Sequence, residues 1–572
     1  MRAALLRVPL LLLLLATVGG AFAALTYTDR LLNSGVTWGV DQTPIPETAV
    51  GPMGINLFLE KEADPDQVKR TFRVVRDGGF TMLRQGFPWN DIEITAKGDF
   101  MDRRHDPPRS AWDKYDYIVD QAVANHIEIV ARLDAPPDWA RKFPVSHSPP
   151  ARNQDFADFV TAIVSRYRGK VRYFQIWNEP NLEGEWAKYI DPQQQIGKRY
   201  PDAAEYTALL KMAYAAAHAA NPDARVLMAP LAQTVAPAPE NLSDLLYLQA
   251  MYDAGAQPYF DIASVMGYGL ATPPEDRRAE PPRINFSRVI LSRAIMERNG
   301  DADKAVWASE VGWMSLPPDW AEDPLNQPGI WGNLPADAQA RYLVDSFRRA
   351  RAEWPWMGPM FVWHLRDPAP QAHQPQPYFG ILNADWSPRP AYRLLQGYAR
   401  RFPIADTGAS TPVHPAFAFT GGWDKDASGA VYTATTPASM GTLTFQGSAV
   451  DLIASGPGAM AVQLDGAPPM GWPGDGNGWG TIPVTMPADA VSWGVTPAYG
   501  WPVPPGGMAL RVPVARGLAV TRHTLTVRPA GEGARPLVLR GFVVGREPTQ
   551  QGLLFAGYLL LGALGLWLGT RS

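Results

Sequence analysis

Short apolar runs alternate with longer amphipathic stretches between residue 51 and about residue 401. Runs rich in β-branched and aromatic residues predict buried strands, whereas apolar residues at every third or fourth position predict helices. Residues 64–77 have the helical pattern, because Val68, Phe72 and Val75 fall on one helical face. This alternation predicts repeated β-α units and a parallel sheet.

Eight of the apolar runs qualify as strands. They are residues 54–58, 80–84, 127–133, 171–176, 225–229, 261–266, 305–310 and 360–364. Eight strands with helices between them predict an α/β fold, a (β/α)8 TIM barrel with extended loops, over residues 51–402. The alternative is a doubly wound open sheet, but no Gly-rich phosphate-binding turn follows an early strand.

The pattern changes at about Pro403. Helical periodicity ends, and short apolar runs such as 441–445, 461–464, 524–527 and 537–544 alternate with turns rich in Gly and Pro. This texture predicts a smaller all-β sandwich, jelly-roll-like, over residues 403–547. Carbohydrate binding and a spacer role are both open for this domain.

The N-terminus has the pattern of a signal peptide. Arg2 and Arg7 precede an apolar run, and Ala21-Phe22-Ala23 supplies small residues at alternate positions. We expect a signal peptide at residues 1–23 with cleavage near Ala23, and an uncleaved N-terminal anchor is the rival interpretation. Residues 24–50 then form a lead-in segment.

A second apolar segment lies at residues 552–569 and carries no charged residue. Its length is close to the lower limit for crossing a bilayer, so it predicts a C-terminal transmembrane helix. Together, the two ends predict an exported protein that is anchored in the cell membrane with its folded domains outside.

Composition narrows the function classes. The chain is 46% hydrophobic and 19% charged, which is typical of folded protein. With 52 basic and 56 acidic residues its formal charge is −4, so we expect no nucleic-acid partner. The absence of cysteine excludes disulfides, thiolate metal sites and cysteine nucleophiles. The eight His are scattered without metal-site spacing, and we expect neither metal nor cofactor.

Two acids end predicted strands, Glu179 the fourth and Glu310 the seventh. In a closed barrel the C-terminal ends of these strands meet at one mouth. Two carboxyl groups in different surroundings, one neutral and one ionised, are the general solution for cleaving a glycosidic bond. Asn178 precedes Glu179 and is placed to donate a hydrogen bond to a sugar 2-hydroxyl.

The order Arg84, Asn178-Glu179-Pro180, Tyr268, Glu310 and Trp363 resembles clan A of the glycoside hydrolases, which are retaining barrel enzymes. Family 39 and the cellulase-like family 5 are the nearest in style, and the similarity covers about residues 51–401. The resemblance implies that Glu179 is the general acid/base and Glu310 the nucleophile.

The resemblance also implies supporting roles. Arg84 would hold the nucleophile ionised through a charge-assisted hydrogen bond, and Tyr268 would also hydrogen-bond it. Trp363 would form an apolar floor for the sugar, and Trp89, just beyond the second strand, would contact substrate. One position departs from the pattern, because Met266 stands where related chains usually have His.

We therefore expect an exported, membrane-tethered retaining glycosidase that acts on β-linked oligo- or polysaccharides by double displacement. Retention predicts a separation of about 5–5.5 Å between the two carboxyl groups. Two alternatives stay open: a catalytically weakened, membrane-anchored saccharide-binding protein, which Met266 supports, and a transglycosylase. The sequence leaves the sugar, the linkage and endo or exo action undecided.

Overall fold

The fold is described from a computed structural model of the chain. The described residues are 2–569 with the exception of 39–42, 144–146, 187–199, 237, 324, 327–328, 369, 371–372, 427–429, 456–458, 485–495, 499–500, 502–508 and 531–535.

Eight parallel strands form the first sheet. They are β1 (Met53–Leu57), β2 (Met82–Gly86), β3 (Glu128–Leu133), β4 (Tyr173–Ile176), β5 (Arg225–Leu227), β6 (Ala263–Met266), β7 (Val306–Val311) and β8 (Met357–Val362). Their order is β5-β4-β3-β2-β1-β8-β7-β6. Parallel bridges Leu227–Ile262 and Leu231–Val265 join the two outer strands, so the ring is nearly closed. The predicted (β/α)8 barrel is confirmed, and the open-sheet alternative is wrong.

Helices surround the strands. An N-terminal helix, α1 (Arg2–Leu32), precedes the barrel. The helices between and after the strands are α2 (Pro65–Asp77), α3 (Asp113–Ala124), α4 (Asn153–Arg166), α5 (Ala203–Ala220), α6 (Asp244–Asp253), α7 (Val289–Arg298), α8 (Ala336–Glu353) and α9 (Pro390–Ala399). Local sequence signals set their starts. Asp64 accepts a hydrogen bond from the Asp66 backbone N–H, and Pro65 occupies the first position of α2.

The barrel strands are almost entirely buried, which agrees with their continuous apolar runs. Their outward side chains pack against the surrounding helices. Phe72 and Val75 of α2, for example, belong to the same apolar core as these strand residues. Among the buried polar residues of these strands, Arg84 donates hydrogen bonds to Asn56, Gln175 and Glu310 in the barrel interior and at its mouth.

Two antiparallel sheets follow the barrel. Their strands are β9 (Gly408–Ser410), β10 (Phe417–Thr420), β11 (Trp423–Lys425), β12 (Tyr432–Ala434), β13 (Met440–Gln446), β14 (Ala449–Ser455), β15 (Ala459–Leu464), β16 (Gly480–Pro483), β17 (Thr496–Pro497), β18 (Leu510–Ala515), β19 (Arg522–Pro529) and β20 (Val538–Gly545). One sheet has the order β11-β12-β20-β14-β18-β17 with β9 on β20, and the other has the order β10-β13-β19-β15-β16. Their apolar side chains share one core. The predicted all-β region is confirmed.

The two terminal helices contact each other. A last helix, α10 (Gln551–Gly569), packs against α1, and the Asp29 carboxylate accepts hydrogen bonds from the backbone N–H groups of Gln551 and Gly552. Asp29 therefore caps the start of α10. The predicted cleavage point near Ala23 falls inside α1, and cleavage stays a prediction.

Within the described part of the chain, none of the helices combines the length and the apolar character that a bilayer crossing requires. Residues 552–569 do form a helix, but the prediction that it spans a membrane is not supported.

Candidate active site

Glu179 and Glu310 reach the same rim because β4 and β7 are parallel members of one ring. Glu310 lies near the end of β7, and Glu179 follows β4 in a sharp turn. Trp177 and Glu179 both have positive φ angles, 73° and 42°, which are uncommon for residues with side chains. The turn is held by hydrogen bonds from the Glu179 N–H to the Pro230 carbonyl oxygen (3.0 Å) and from the Trp177 indole to the Glu185 carbonyl oxygen (2.9 Å).

Both carboxylate oxygens of Glu310 accept hydrogen bonds. Arg84 Nη1 donates to Oε1 at 2.7 Å, and the Tyr268 hydroxyl donates to Oε2 at 2.6 Å. Glu310 is 5% exposed and Arg84 is 2% exposed, so the ion pair is screened little by water. The two donors fix the direction of the carboxylate.

Arg84 is the centre of a buried polar network. Its Nε donates to Gln175 Oε1 (2.8 Å), Nη1 also donates to Asn56 Oδ1 (3.0 Å), and Nη2 donates to Asn178 Oδ1 (2.7 Å). Burial lowers the pKa of Arg84, whereas the charge of Glu310 opposes that shift. A guanidinium with this many partners has one geometry, so Arg84 holds Glu310 and Asn178 in fixed relation.

Glu179 has a different environment. It is half-buried, and its pKa is raised well above the ordinary value, first by burial, then by the negative charges of Glu310 and Glu185. Arg84 and Arg132 oppose the shift. The raised pKa favours the neutral carboxyl group, which has a proton to donate.

A rim of charged residues borders Glu179. Arg132 Nε lies 2.8 Å from Asp134 Oδ2, and Glu185 Oε2 lies 3.5 Å from His147 Nδ1. Burial raises the pKa of Glu185, while His147 and Arg132 lower it. The proton affinity of Glu179 therefore depends on neighbours that themselves carry charge.

The opposite side of the mouth is apolar. Tyr268 is 7% exposed, its backbone N–H donates to Gln233 Oε1 (3.1 Å), and burial together with Glu310 raises the pKa of its hydroxyl. Met266 pairs in register with Glu310 on the neighbouring strand and is buried in a cluster with Tyr268. A thioether therefore stands where the related pattern has an imidazole, and it offers no proton donor to a ligand.

The two remaining predicted residues have different positions. Trp363 directly follows β8, is half-buried, and makes an edge contact with Phe58 at 5.4 Å between ring centroids. Trp89 has no exposed surface, stacks on Phe159 at 5.5 Å and donates its indole N–H to Glu93. Trp89 is thus a core residue, and the structure does not support its predicted contact with substrate. The short helical turn Trp89–Ile92 directs its ring inward.

Asn56 and Gln175 were not predicted, although both bind Arg84. Their signal in the sequence is a single polar residue inside an apolar strand, since burying an amide is costly unless it is hydrogen-bonded. Among the described residues, no group of three or more His, Asp or Glu could hold a metal ion.

Comparisons with known proteins give structural similarity only at low identity. No protein-family model matches the chain, and no curated protein matches it. Among solved structures, it is similar to a family 39 glycoside hydrolase from the gut symbiont Bacteroides cellulosilyticus WH2, with 17% identity, 85% of this chain and 83% of that chain covered, and a TM-score of 0.44.

Two further structures give similar values. A family 39 β-xylosidase from Caulobacter crescentus has 17% identity, with 86% of this chain and 98% of that chain covered and a TM-score of 0.42. A family 5 subfamily 18 protein from Streptomyces cattleya in complex with GlcNAc has 14% identity, with 62% and 82% covered and a TM-score of 0.44. At these values the fold assignment rests on the strand order and not on the comparisons.

Proposed function

We propose that the protein is a retaining glycoside hydrolase that cleaves β-linked saccharides by double displacement. The observation that carries the proposal is the contrast between two carboxyl groups at one barrel mouth. Glu310 accepts hydrogen bonds from Arg84 and Tyr268, while the pKa of Glu179 is raised. Double displacement at a glycosidic bond requires one carboxylate that attacks and one carboxyl group that donates a proton, and these surroundings suit the two tasks.

In the first step, a Glu310 oxygen attacks the anomeric carbon and the bond to the departing oxygen breaks. Glu179 transfers its proton to that oxygen, so the leaving group departs as a neutral alcohol. The product is a glycosyl ester on Glu310 and an ionised Glu179. General acid catalysis of this kind contributes roughly 10²–10⁴-fold.

In the second step, Glu179 removes a proton from water, and the water oxygen attacks the anomeric carbon. The ester bond breaks, Glu310 returns to its ionised form, and the sugar leaves with its original β configuration. Glu179 is protonated again, so the cycle closes without a metal or a redox partner.

The neighbouring residues support these steps. Because Arg84 donates to Asn178 Oδ1, the Nδ2 group of Asn178 is the side that we propose donates to the sugar 2-hydroxyl. Trp363 would form the apolar floor under the sugar ring. Export of the chain would bring this activity to saccharides outside the cytoplasm, and it is part of the proposal.

The stereochemistry of the product tests the proposal. Aryl β-glycosides of glucose, xylose and mannose are incubated with the full chain, and the anomeric signals of the first product are followed by NMR. We expect the β anomer to form first and then to mutarotate. Initial release of the α anomer, or a carboxyl separation above about 8 Å in a crystal structure, would indicate inversion and exclude double displacement.

A further inference from the structure

The loop after β7 brings an aromatic side chain to the mouth. The loop is closed at its base, because the Leu316 N–H donates to Asn333 Oδ1 (2.9 Å) and the Leu334 N–H donates to the Met314 carbonyl oxygen (3.1 Å). Trp331 lies just before the closing residues, in a short helical turn (Gly329–Trp331).

Trp331 packs on the residue that binds Glu310. Its ring centroid lies 5.0 Å from that of Tyr268 and 5.5 Å from that of Phe379, in tilted and edge arrangements. Tyr268 donates to Glu310 Oε2. A single aromatic ring therefore separates Trp331 from the carboxylate to which the nucleophilic role is assigned.

Exposure distinguishes the three rings. Tyr268 is 7% exposed and Phe379 is 3% exposed, whereas Trp331 is half-buried. The surface that this aromatic cluster offers to a ligand is thus mostly that of Trp331. The C–H face of a sugar ring is a suitable partner for a flat, partly exposed aromatic ring.

The backbone holds Trp331 in this position. Gly332 has a φ of +73°, and a Cβ placed on it would lie 2.9 Å from the Cβ of Ala271 in the loop after β6. The two loops thus approach so closely that only glycine fits without strain. The backbone beside Trp331 is therefore held against the loop after β6, and its ring packs on Tyr268 and Phe379. A contact residue that is held in place before binding loses less entropy on binding.

We propose that Trp331 forms a platform for a second sugar ring, on the non-reducing side of the ring that Glu310 attacks. This inference rests on the proposed function. The side follows from the chemistry, because the leaving group departs toward Glu179, whereas Trp331 is connected through Tyr268 to Glu310. The substrate class is then a saccharide chain that is cleaved at least two residues from its non-reducing end.

The experiment compares two substrates that differ only in the second ring. The 4-nitrophenyl β-glycosides of glucose, xylose and mannose are paired with those of the corresponding β-1,4-linked disaccharides. We expect the wild type to prefer a disaccharide glycoside. Trp331→Ala should lower kcat/KM for that substrate about tenfold or more and leave the monosaccharide glycoside within about twofold.

Two variants separate contact from structure. Trp331→Phe keeps an aromatic ring and should recover most of the lost kcat/KM. Ile330→Ala removes the neighbouring side chain, which is 73% exposed, and should leave kcat/KM unchanged for both substrates. Equal losses of Trp331→Ala on both substrates would overturn the inference, because they would indicate a disturbed Tyr268. No loss on either substrate would overturn it as well.

Hydrolysis tests the proposed function, and saccharide binding tests the Trp331 platform separately. If the wild type hydrolyses none of these glycosides, the proposed function is in question, and Trp331 is then tested by calorimetric binding of β-1,4-linked di- and tetrasaccharides. Binding of the tetrasaccharide that weakens about tenfold in Trp331→Ala would support the platform. Binding that is equal in both proteins would overturn it.

Discussion

Glu179 and Glu310 are the same residue type at the ends of two strands of one barrel, and their neighbours differ. Glu310 has a guanidinium and a hydroxyl on its two oxygens. Burial of the Glu179 carboxyl group raises its pKa, and the negative charges of Glu310 and Glu185 raise it further. Hydrogen-bond donors favour a carboxylate, whereas desolvation and nearby negative charge favour a carboxyl group that keeps its proton.

Position on the barrel brings the two acids together, and neighbours on adjacent strands give them the different surroundings on which their proposed roles depend. Arg84 on β2 and Tyr268 after β6 act on Glu310, and the rim after β3 and β4 acts on Glu179. Exchanging the roles would require changing the neighbours, and not the two glutamates. This can be tested residue by residue.

The largest effect is expected for Glu310. In the proposed mechanism Glu310 is the attacking group, so kcat of Glu310→Ala should fall by about 10⁴-fold or more. Azide should restore turnover of an activated aryl β-glycoside, because it enters the space of the lost carboxylate and attacks directly. The product should be an α-glycosyl azide, identified by NMR. A β-glycosyl azide from this variant would mean that the two roles are assigned the wrong way round.

Glu179→Gln should have a smaller effect that depends on the substrate. The variant cannot protonate the leaving group, so kcat should fall about 10²–10⁴-fold for sugars and alkyl glycosides. A 2,4-dinitrophenyl leaving group needs no proton, and its release in a pre-steady-state burst should be nearly unchanged. Equal losses for good and poor leaving groups would contradict a role as general acid.

Tyr268→Phe should come next. It removes one of the two hydrogen bonds to Glu310. A hydrogen bond to a charged group contributes about 1.5–3 kcal/mol, or roughly 10–160-fold in kcat/KM. Tyr342→Phe is a matched control, since Tyr342 lies on α8 behind Trp313 and away from Glu310. A loss below about threefold would mean that Arg84 alone holds the carboxylate.

The sequence predicts more of the fold than of the site. Strand positions could be predicted because each barrel strand is a continuous apolar run, and Glu179 and Glu310 could be found because acids end two such runs. The sequence around Trp89 predicts a contact with substrate because it resembles a binding motif, but the Trp89 ring is turned into the core.

The missed residues depend on three-dimensional proximity. Asn56 and Gln175 reach Arg84 from two other strands, and no spacing in the sequence connects them to it. Trp331 reaches the mouth only because its loop closes back on Met314 and Leu316. Loop conformation is the part of a barrel that local sequence patterns predict least well.

The smallest effect is a shift in pH dependence. In the proposed mechanism Glu179 acts in its protonated form, so kcat/KM should fall as pH rises through its pKa, which lies above the ordinary value. Glu185→Gln removes a negative charge that helps to raise this pKa. The alkaline limb of the kcat/KM profile should therefore move to lower pH, while activity below the limb stays nearly unchanged.

The size of the shift depends on the rim, because burial raises the pKa of Glu185 itself while His147 and Arg132 lower it. Glu128→Gln is the control, since Glu128 is exposed at the opposite end of β3 and its loss should leave the limb in place. A limb that stays fixed in Glu185→Gln would mean that burial and Glu310 alone raise the pKa of Glu179. The contrast between the two acids would then arise within the barrel, without the rim.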